Sequence, residues 1–162
     1  MFWDIDRLGI IVNTVYLFSN IMQAPTTIKS CPAFLTMFCG SVHAGFPSPA
    51  ADYAQRRIDL NQHLLLNENA SFLFRVRGES MIGIGIYDGD TLIVDRSIAP
   101  AHNQIVLAVI DGEFTVKRLF RRDQDIRLVA ENPAFAPITL KDGQEMTIWG
   151  VVTFNLHRLL NV

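Results

Sequence analysis

Cysteine and the common metal and catalytic motifs are scarce in this chain of 162 residues. Its two cysteines, Cys31 and Cys39, match neither a disulfide framework nor the CxxC pairs of zinc sites. We therefore expect two reduced thiols in a cytoplasmic protein. The histidines form no HExxH pattern, and GxSxG and GxGxxG are both missing. We expect no metal, no cofactor and no α/β-hydrolase site.

An excess of basic over acidic residues and a long unbroken apolar run are also lacking. The formal net charge is −2, so the chain has no basic excess that would indicate direct sequence-specific DNA binding. The apolar run from Leu8 to Met22 is broken by polar residues and follows Asp4 and Asp6. It fits neither a membrane span nor a secretory signal, and we expect no membrane association.

What the chain does contain, from residue 71 onward, is a series of short runs rich in β-branched and aromatic residues. Turn residues bound each run, which predicts strands. Asp111-Gly112 predicts a two-residue hairpin turn. The spacing favours a mainly β fold, as a compact sandwich or barrel. The predicted strands are 71–77, 91–95, 104–111, 113–119, 126–129 and 146–156.

The stretch before these strands divides into two parts. Residues 45–49 (GFPSP) are rich in helix breakers and mark a boundary between a leader or arm and the folded part. Residues 50–66 contain the one plausible helix, with Leu60, Leu64 and Leu65 on one face after Asp59. An extended segment with a single turn is the alternative.

Ser80 follows a predicted strand and precedes a glycine-rich turn. A serine at a strand end, where the backbone is free to turn its amides inward, can combine a nucleophile with oxyanion donors. A turn serine that bonds its own backbone explains the local pattern equally well.

Lys117 lies in the second arm of the predicted hairpin. Strand alternation places it on one face with Thr115 and Leu119. If that face is buried, loss of hydration favours the neutral amine, which can accept a proton from a hydroxyl group. The alternative is a lysine that reaches solvent at a strand edge.

Several longer strings follow one another from Gly45 to the Lys117 strand. They are 45–53 (GFPSPAADY), 57–62 (RIDLNQ), 88–90 (DGD), 92–95 (LIVD) and 111–117 (DGEFTVK). In order and spacing they resemble the LexA/UmuD family of self-cleaving proteins of the bacterial DNA-damage response, and the UmuD type most of all. The resemblance implies that family's β-strand catalytic domain at 45–162, behind a flexible arm at 1–44.

The resemblance also implies the chemistry. It assigns Ser80 as nucleophile and Lys117 as general base of a Ser–Lys dyad, and it places the cut between Ala44 and Gly45. Backbone N–H groups of Glu79 and Ser80 are the expected oxyanion donors. Cleavage removes the arm, and tethering supplies the effective concentration of the substrate segment.

Three features depart from the family pattern. UmuD has Cys where Ala44 stands, but LexA-type relatives cut Ala-Gly, so cleavage is still expected. Gly83 and Ile84 stand where the family more often has Asp and Gly, which alters the turn after the nucleophile. The arm is longer than that of UmuD.

The surplus length suggests a hypothesis about the start codon. Residues 14–19 can be encoded by ACT GTA TAT TTA TTC AGT, which contains CTG and CAG at the spacing of a LexA operator. An operator belongs upstream of such a gene, so residues 1–21 would not be translated and Met22 would be the start. The alternative is an apolar extension that packs on the domain.

The family's partners complete the expectation. They are a second copy of the chain in a homodimer, a RecA filament on single-stranded DNA as co-protease, and a UmuC-type Y-family polymerase in translesion synthesis during the SOS response. One alternative is a LexA-like transcriptional regulator, although residues 1–44 show no helix-turn-helix pattern. Another is a signal peptidase, which needs a membrane anchor, and a last one is a non-catalytic polymerase-binding module.

Overall fold

Strands make up most of the described chain. The computed structural model describes residues 32–38, 44, 55–123, 125–139 and 144–160. The strands are β1 (Phe34–Phe38), β2 (Gln55–Asp59), β3 (Ser71–Arg75), β4 (Thr91–Asp95), β5 (Ile105–Ile110), β6 (Glu113–Arg122), β7 (Asp125–Val129), β8 (Ile138–Thr139) and β9 (Met146–Leu156). Helix α1 (Leu60–Leu64) and a 3-10 helix (Ile82–Ile84) are short.

Seven of these strands form one antiparallel sheet, in the order β3-β4-β9-β5-β6-β7-β8. The long strand β9 pairs with β4 on one side and with β5 on the other. Its register shifts by a bulge against each neighbour, opposite Ile93/Val94 and opposite Leu107/Ala108. Bulges increase the local twist of a sheet.

The sheet carries a hydrophobic cluster on each face, because successive side chains of a strand point to opposite sides. Leu107 packs with Leu92 and Val94 in one cluster, while its neighbour Val106 packs with Leu119 in the other. Lys117 lies directly opposite Val106 in the β5–β6 pairing. The Lys117 side chain therefore lies on the same face of the sheet as Val106, beside the cluster that contains Val106 and Leu119.

A separate two-stranded ribbon, β1–β2, precedes the sheet. It pairs residues on opposite sides of the predicted cleavage position, from Phe34↔Asp59 to Phe38↔Gln55. Helix α1 follows at once, and Asp59 caps it by accepting a hydrogen bond from the N–H of Asn61 at 3.1 Å. Of the two interpretations of residues 50–66, the extended one with a single turn is correct for the described part.

The mainly β prediction is confirmed, and so are the six predicted strands, with ends that differ by a few residues. The turn between β5 and β6 has positive φ at Asp111 and Gly112, as the predicted hairpin requires. Seven strands form one sheet whose end strands, β3 and β8, do not pair with each other, and β1–β2 is a separate ribbon, so the described residues show neither a closed barrel nor a sandwich. Strands β1, β2 and β8 were not predicted.

The described residues contain no helix long and apolar enough to cross a membrane. The apolar run 8–22, the proposed start at Met22, and both cysteines lie outside the described residues.

Candidate active site

Lys117 is a buried cation in the middle of β6. Only 7% of its surface is exposed, and Leu119 on the same face is 2% exposed. The alternation of β6 therefore buries the face that the sequence analysis singled out. Burial lowers the pKa of the Lys117 ammonium below its ordinary value, because the charged form loses hydration.

Three oxygen atoms surround the Lys117 amine. Its Nζ lies 2.8 Å from Ser80 Oγ, 3.1 Å from Thr115 Oγ1 and 3.0 Å from the carbonyl oxygen of Val116. No ion pair of the described residues includes Lys117. Within the part of the chain that the structure describes, neutral groups alone hold the amine, and no carboxylate stabilises its charged form.

These three partners suit both protonation states of the lysine. An ammonium group donates three hydrogen bonds, one to each oxygen. A neutral amine has two N–H groups and one lone pair. The Val116 carbonyl can only accept, whereas both hydroxyl groups can donate or accept. The neutral amine can therefore donate to Val116 and Thr115 and accept the hydroxyl proton of Ser80.

The turn that carries Ser80 is fixed at its start by Asp88. Gly78 has φ +90°, a conformation that favours glycine, and its N–H donates to Asp88 Oδ1 at 2.7 Å. After Ser80 the chain makes one 3-10 turn, which ends at Gly85 in the left-handed conformation, with φ 78°. The DGD string noted in the sequence thus closes the loop on itself.

A second support comes from the segment after β7. The N–H of Glu131 donates to the carbonyl oxygen of Ser80 at 2.9 Å, and the N–H of Gly83 donates to the Glu131 carbonyl at 2.8 Å. The side-chain amide of Asn132 donates to the Glu79 carbonyl at 2.9 Å. Glu131 and Asn132 could not be predicted from the sequence, because contacts with backbone atoms leave no residue pattern.

Gly83 is required by this close approach. A Cβ at position 83 would lie 2.1 Å from the Glu131 carbonyl oxygen, closer than such atoms approach in proteins. The departure from the family pattern at this position therefore has a structural consequence: the glycine lets the two backbones bond directly.

The N–H groups of Glu79 and Ser80 lie at the cleft that contains Lys117. Among the described residues, neither group donates a hydrogen bond. Both residues line a cleft of about 330 Å³ together with Lys117. The remaining lining residues are Arg77, Gly78, Phe135, Ala136 and Ile138. The cleft therefore offers a hydroxyl group, a buried amine and two free backbone donors to a peptide segment.

The predicted cleavage residues are only partly described. Ala44 is exposed, and Gly45 lies outside the described residues. The assignment of both residues as the cleavage site stays a prediction.

Comparison with known proteins identifies the family. The Peptidase S24-like family model matches residues 36–153. The chain belongs to the Peptidase S24-like family. It is 44% identical over 123 residues to the protein ImpA of Salmonella typhimurium, an alignment that covers 75% of this chain and 83% of ImpA. It is 41% identical over 130 residues to MucA of Escherichia coli, covering 80% of this chain and 86% of MucA.

A third relative is the LexA repressor of Dechloromonas aromatica, with which the alignment covers a smaller share of both chains. It is 50% identical over 99 residues, which are 61% of this chain and 49% of the repressor. Together these findings confirm the resemblance to the UmuD type. This S24-like chain is a self-cleaving serine peptidase. It is of the UmuD type, which serves error-prone DNA synthesis after DNA damage.

Proposed function

We propose that the chain cuts itself between Ala44 and Gly45, with Ser80 as nucleophile and Lys117 as general base. The observation that supports this most directly is the 2.8 Å contact between Lys117 Nζ and Ser80 Oγ. An amine that is buried without a counter-ion loses its proton more readily, and it can then accept a proton from the serine.

The first half of the reaction forms an ester. Ser80 Oγ attacks the carbonyl carbon of Ala44 while its proton moves to Lys117 Nζ. The carbonyl oxygen takes on negative charge, which the free N–H groups of Glu79 and Ser80 stabilise. The C–N bond to Gly45 then breaks, and the proton on Lys117 passes to the leaving amine.

The second half releases the arm. Water attacks the ester between Ala44 and Ser80, and Lys117 accepts the proton of that water. The Ser80 oxygen leaves and regains a proton from Lys117, so the dyad returns to its starting state. The products are residues 1–44 with a new carboxylate and residues 45–162 with a new amine.

Thr115 and Val116 act on this chemistry as positioning groups. Both hold the Lys117 amine through hydrogen bonds from the same strand. A side chain as long as lysine has much rotational freedom to lose. Fixing the amine beside Ser80 before the reaction removes that entropy from the barrier.

The biological role follows from the family. We infer that self-cleavage removes everything before Gly45, which is residues 1–44 of the full sequence or residues 22–44 of a chain translated from Met22, and that the peptidase domain is 45–162. A RecA filament on single-stranded DNA stimulates the cut. The shortened form joins a UmuC-type Y-family polymerase as a homodimer, in the cytoplasm and without sequence-specific DNA binding of its own.

Self-cleavage of the purified full chain at alkaline pH tests the chemistry. We expect loss of 44 of the 162 residues, about a quarter of the mass, and N-terminal sequencing of the product should begin at Gly45. Ser80→Ala and Lys117→Ala should each abolish the cut. Ser97→Ala is the control: it removes a hydroxyl group outside the cleft while the Ser97 N–H still donates to Asp95 Oδ1, so this variant should cleave normally.

A chain that never cuts, at alkaline pH or with RecA filaments added, would contradict this function. It would favour the alternative of a non-catalytic polymerase-binding module. A cut that persists in Ser80→Ala would instead show that another residue or a contaminating protease is responsible.

A further inference from the structure

The far end of the Ser80 loop is held by a buried carboxylate. Asp90 is 3% exposed and follows the loop directly, at the start of β4. Its Oδ2 accepts the N–H of Tyr87 at 2.8 Å, which closes the end of the loop. A carboxylate buried this deeply needs hydrogen-bond donors to remain charged.

Two side chains from the end of β9 supply those donors. The Asn155 amide nitrogen lies 2.8 Å from Asp90 Oδ2, and His157 Nδ1 lies 2.5 Å from Asp90 Oδ1. Burial alone would raise the pKa of Asp90, but the hydrogen bonds from Tyr87, His157 and Asn155 together hold it below its ordinary value. Three contacts therefore stabilise the charged form of Asp90.

Asn155 also reaches the loop itself. Its amide nitrogen lies 2.9 Å from the carbonyl oxygen of Gly85, the residue that ends the 3-10 turn after Ser80. Both amide hydrogens are therefore used, one on Gly85 and one on Asp90. The amide oxygen of Asn155 is buried and has no partner among the residues that the structure describes. A flipped amide would direct that oxygen at two acceptors, so only one orientation fits.

The loop transmits this restraint to Ser80 over a short path. The N–H of Gly85 donates to Ile82, and the N–H of Ile86 donates to Met81, the residue next to Ser80. Met81 is 2% exposed and packs in the cluster with Leu92, so this part of the loop has little room to adjust.

We propose that Asn155 and His157 are positioning residues for self-cleavage, which together hold the loop that carries Ser80 against β9. Neither residue touches the reacting atoms. They act by holding Asp90 and Gly85, and so by keeping Ser80 Oγ within bonding distance of Lys117. The proposal rests on the function proposed above for Ser80 and Lys117.

The decisive variant is Asn155→Asp, which keeps the shape of the side chain and removes both donors. The introduced carboxylate would face Asp90 and the Gly85 carbonyl, both of which repel it. We expect the rate of self-cleavage at alkaline pH to fall by on the order of tenfold to a hundredfold. Asn67→Asp is the matched control, because this exposed turn residue keeps its acceptor for the N–H of Asn69.

The pH profile separates positioning from a general loss of folding. The titratable groups around the introduced carboxyl are Asp90, which the side chain at position 155 contacts, and Tyr87 and His157, which both contact Asp90. When pH falls, a proton shared with Asp90 lets the new group donate again, so the ratio of wild-type to variant rate should shrink. Thermal melting at each pH identifies the range in which the variant is fully folded, and only rates from that range are compared, because stability itself changes with pH.

His157 provides a second test that does not depend on Asn155→Asp folding. His157→Ala should slow cleavage and speed amide hydrogen exchange in residues 82–90, while exchange in β5 stays the same. His157→Asn should recover the wild-type rate, because its amide nitrogen can occupy the position of Nδ1. His63→Ala removes an exposed histidine of α1 and serves as control.

Wild-type cleavage rates in both Asn155→Asp and His157→Ala would overturn the proposal. If Asn155→Asp does not fold, a wild-type rate in His157→Ala alone overturns it. Equal slowing in His157→Ala and His157→Asn would also count against it, since the donor would then be irrelevant. Ser80→Ala is measured in parallel: if that variant still cuts, the proposed function fails, whatever the Asn155 and His157 variants do.

Discussion

Gly83→Ala tests whether the backbone contact between Gly83 and Glu131 positions the nucleophile. The added Cβ would lie 2.1 Å from the Glu131 carbonyl oxygen, and real contacts of this kind stay above 3.0 Å. The two segments must therefore separate by about 0.9 Å. Glu131 cannot recede alone, because its N–H is bonded to the Ser80 carbonyl at 2.9 Å and its carboxylate pairs with Arg118.

The shift should affect rate more than stability. Overpacking of this kind costs about 1–3 kcal/mol of unfolding free energy. In a chain of this size each kcal/mol lowers the melting temperature by about 2–4 °C, so the variant should remain folded at room temperature. A displacement of about 1 Å at a catalytic group can cost on the order of a hundredfold in rate. We expect self-cleavage to slow by a factor between about ten and a hundred.

The assay follows the loss of full-length chain at alkaline pH, alongside thermal melting of the same samples. Gly112→Ala is the control, since Gly112 has φ +89° and open space around it. That variant should lose about 1–2 kcal/mol through backbone strain, yet keep its cleavage rate. If Gly83→Ala stays folded and cleaves as fast as Gly112→Ala, the contact with Glu131 does not position Ser80.

Three further outcomes are expected. Lys117→Met should abolish cleavage and raise the urea-unfolding free energy at neutral pH, because the lowered pKa of Lys117 means that its buried charge destabilises the fold. In the unfolded chain the lysine keeps its proton up to its ordinary pKa. The gain in unfolding free energy should therefore vanish as pH rises from the lowered pKa of the folded chain to the ordinary pKa of the unfolded chain. A gain that stays constant with pH would contradict this. Asp88→Ala breaks the 2.7 Å hydrogen bond from the Gly78 N–H. It should lower the free energy of urea unfolding by about 1.5–3 kcal/mol and slow cleavage. An unchanged cleavage rate would show that Asp88 does not help to position Ser80. Leu92→Ala, at a fully buried position, should lower the free energy of urea unfolding by about 2–5 kcal/mol. A smaller loss would mean that the cluster around Leu107 and Val94 repacks into the cavity.

The sequence predicted the strands better than the site. The runs that became β4, β5 and β6 have the composition of strands, and Asp111-Gly112 joins the last two by a turn that few residue pairs can form. Strand β1 was missed because 34–38 (FLTMF) has no alternation, and its partner β2 begins only at Gln55. A pairing of that range cannot be inferred from local pattern.

Ser80 and Lys117 were each ambiguous for the same reason. They are 37 positions apart, and only the folded sheet brings Nζ to Oγ. The resemblance to the S24-like family supplied the pair, but it gave no information on the supporting contacts. Glu131 bonds through its backbone, and Asn155 reaches the loop from the last strand, so neither contact was visible before the fold was known.

The β1–β2 ribbon changes what a cut at Ala44-Gly45 would achieve. The cut breaks the chain between the two strands, but it leaves the five residue pairs that join them and the hydrogen bonds of Ala33 with Asp59 and Leu60. The product at that moment is a nicked hairpin, whose arm stays attached without a covalent link. Hydrolysis is irreversible, whereas strand separation is an equilibrium that dilution or a competing partner can draw forward. Two rates would then govern loss of the arm, the rate of hydrolysis and the rate of strand separation.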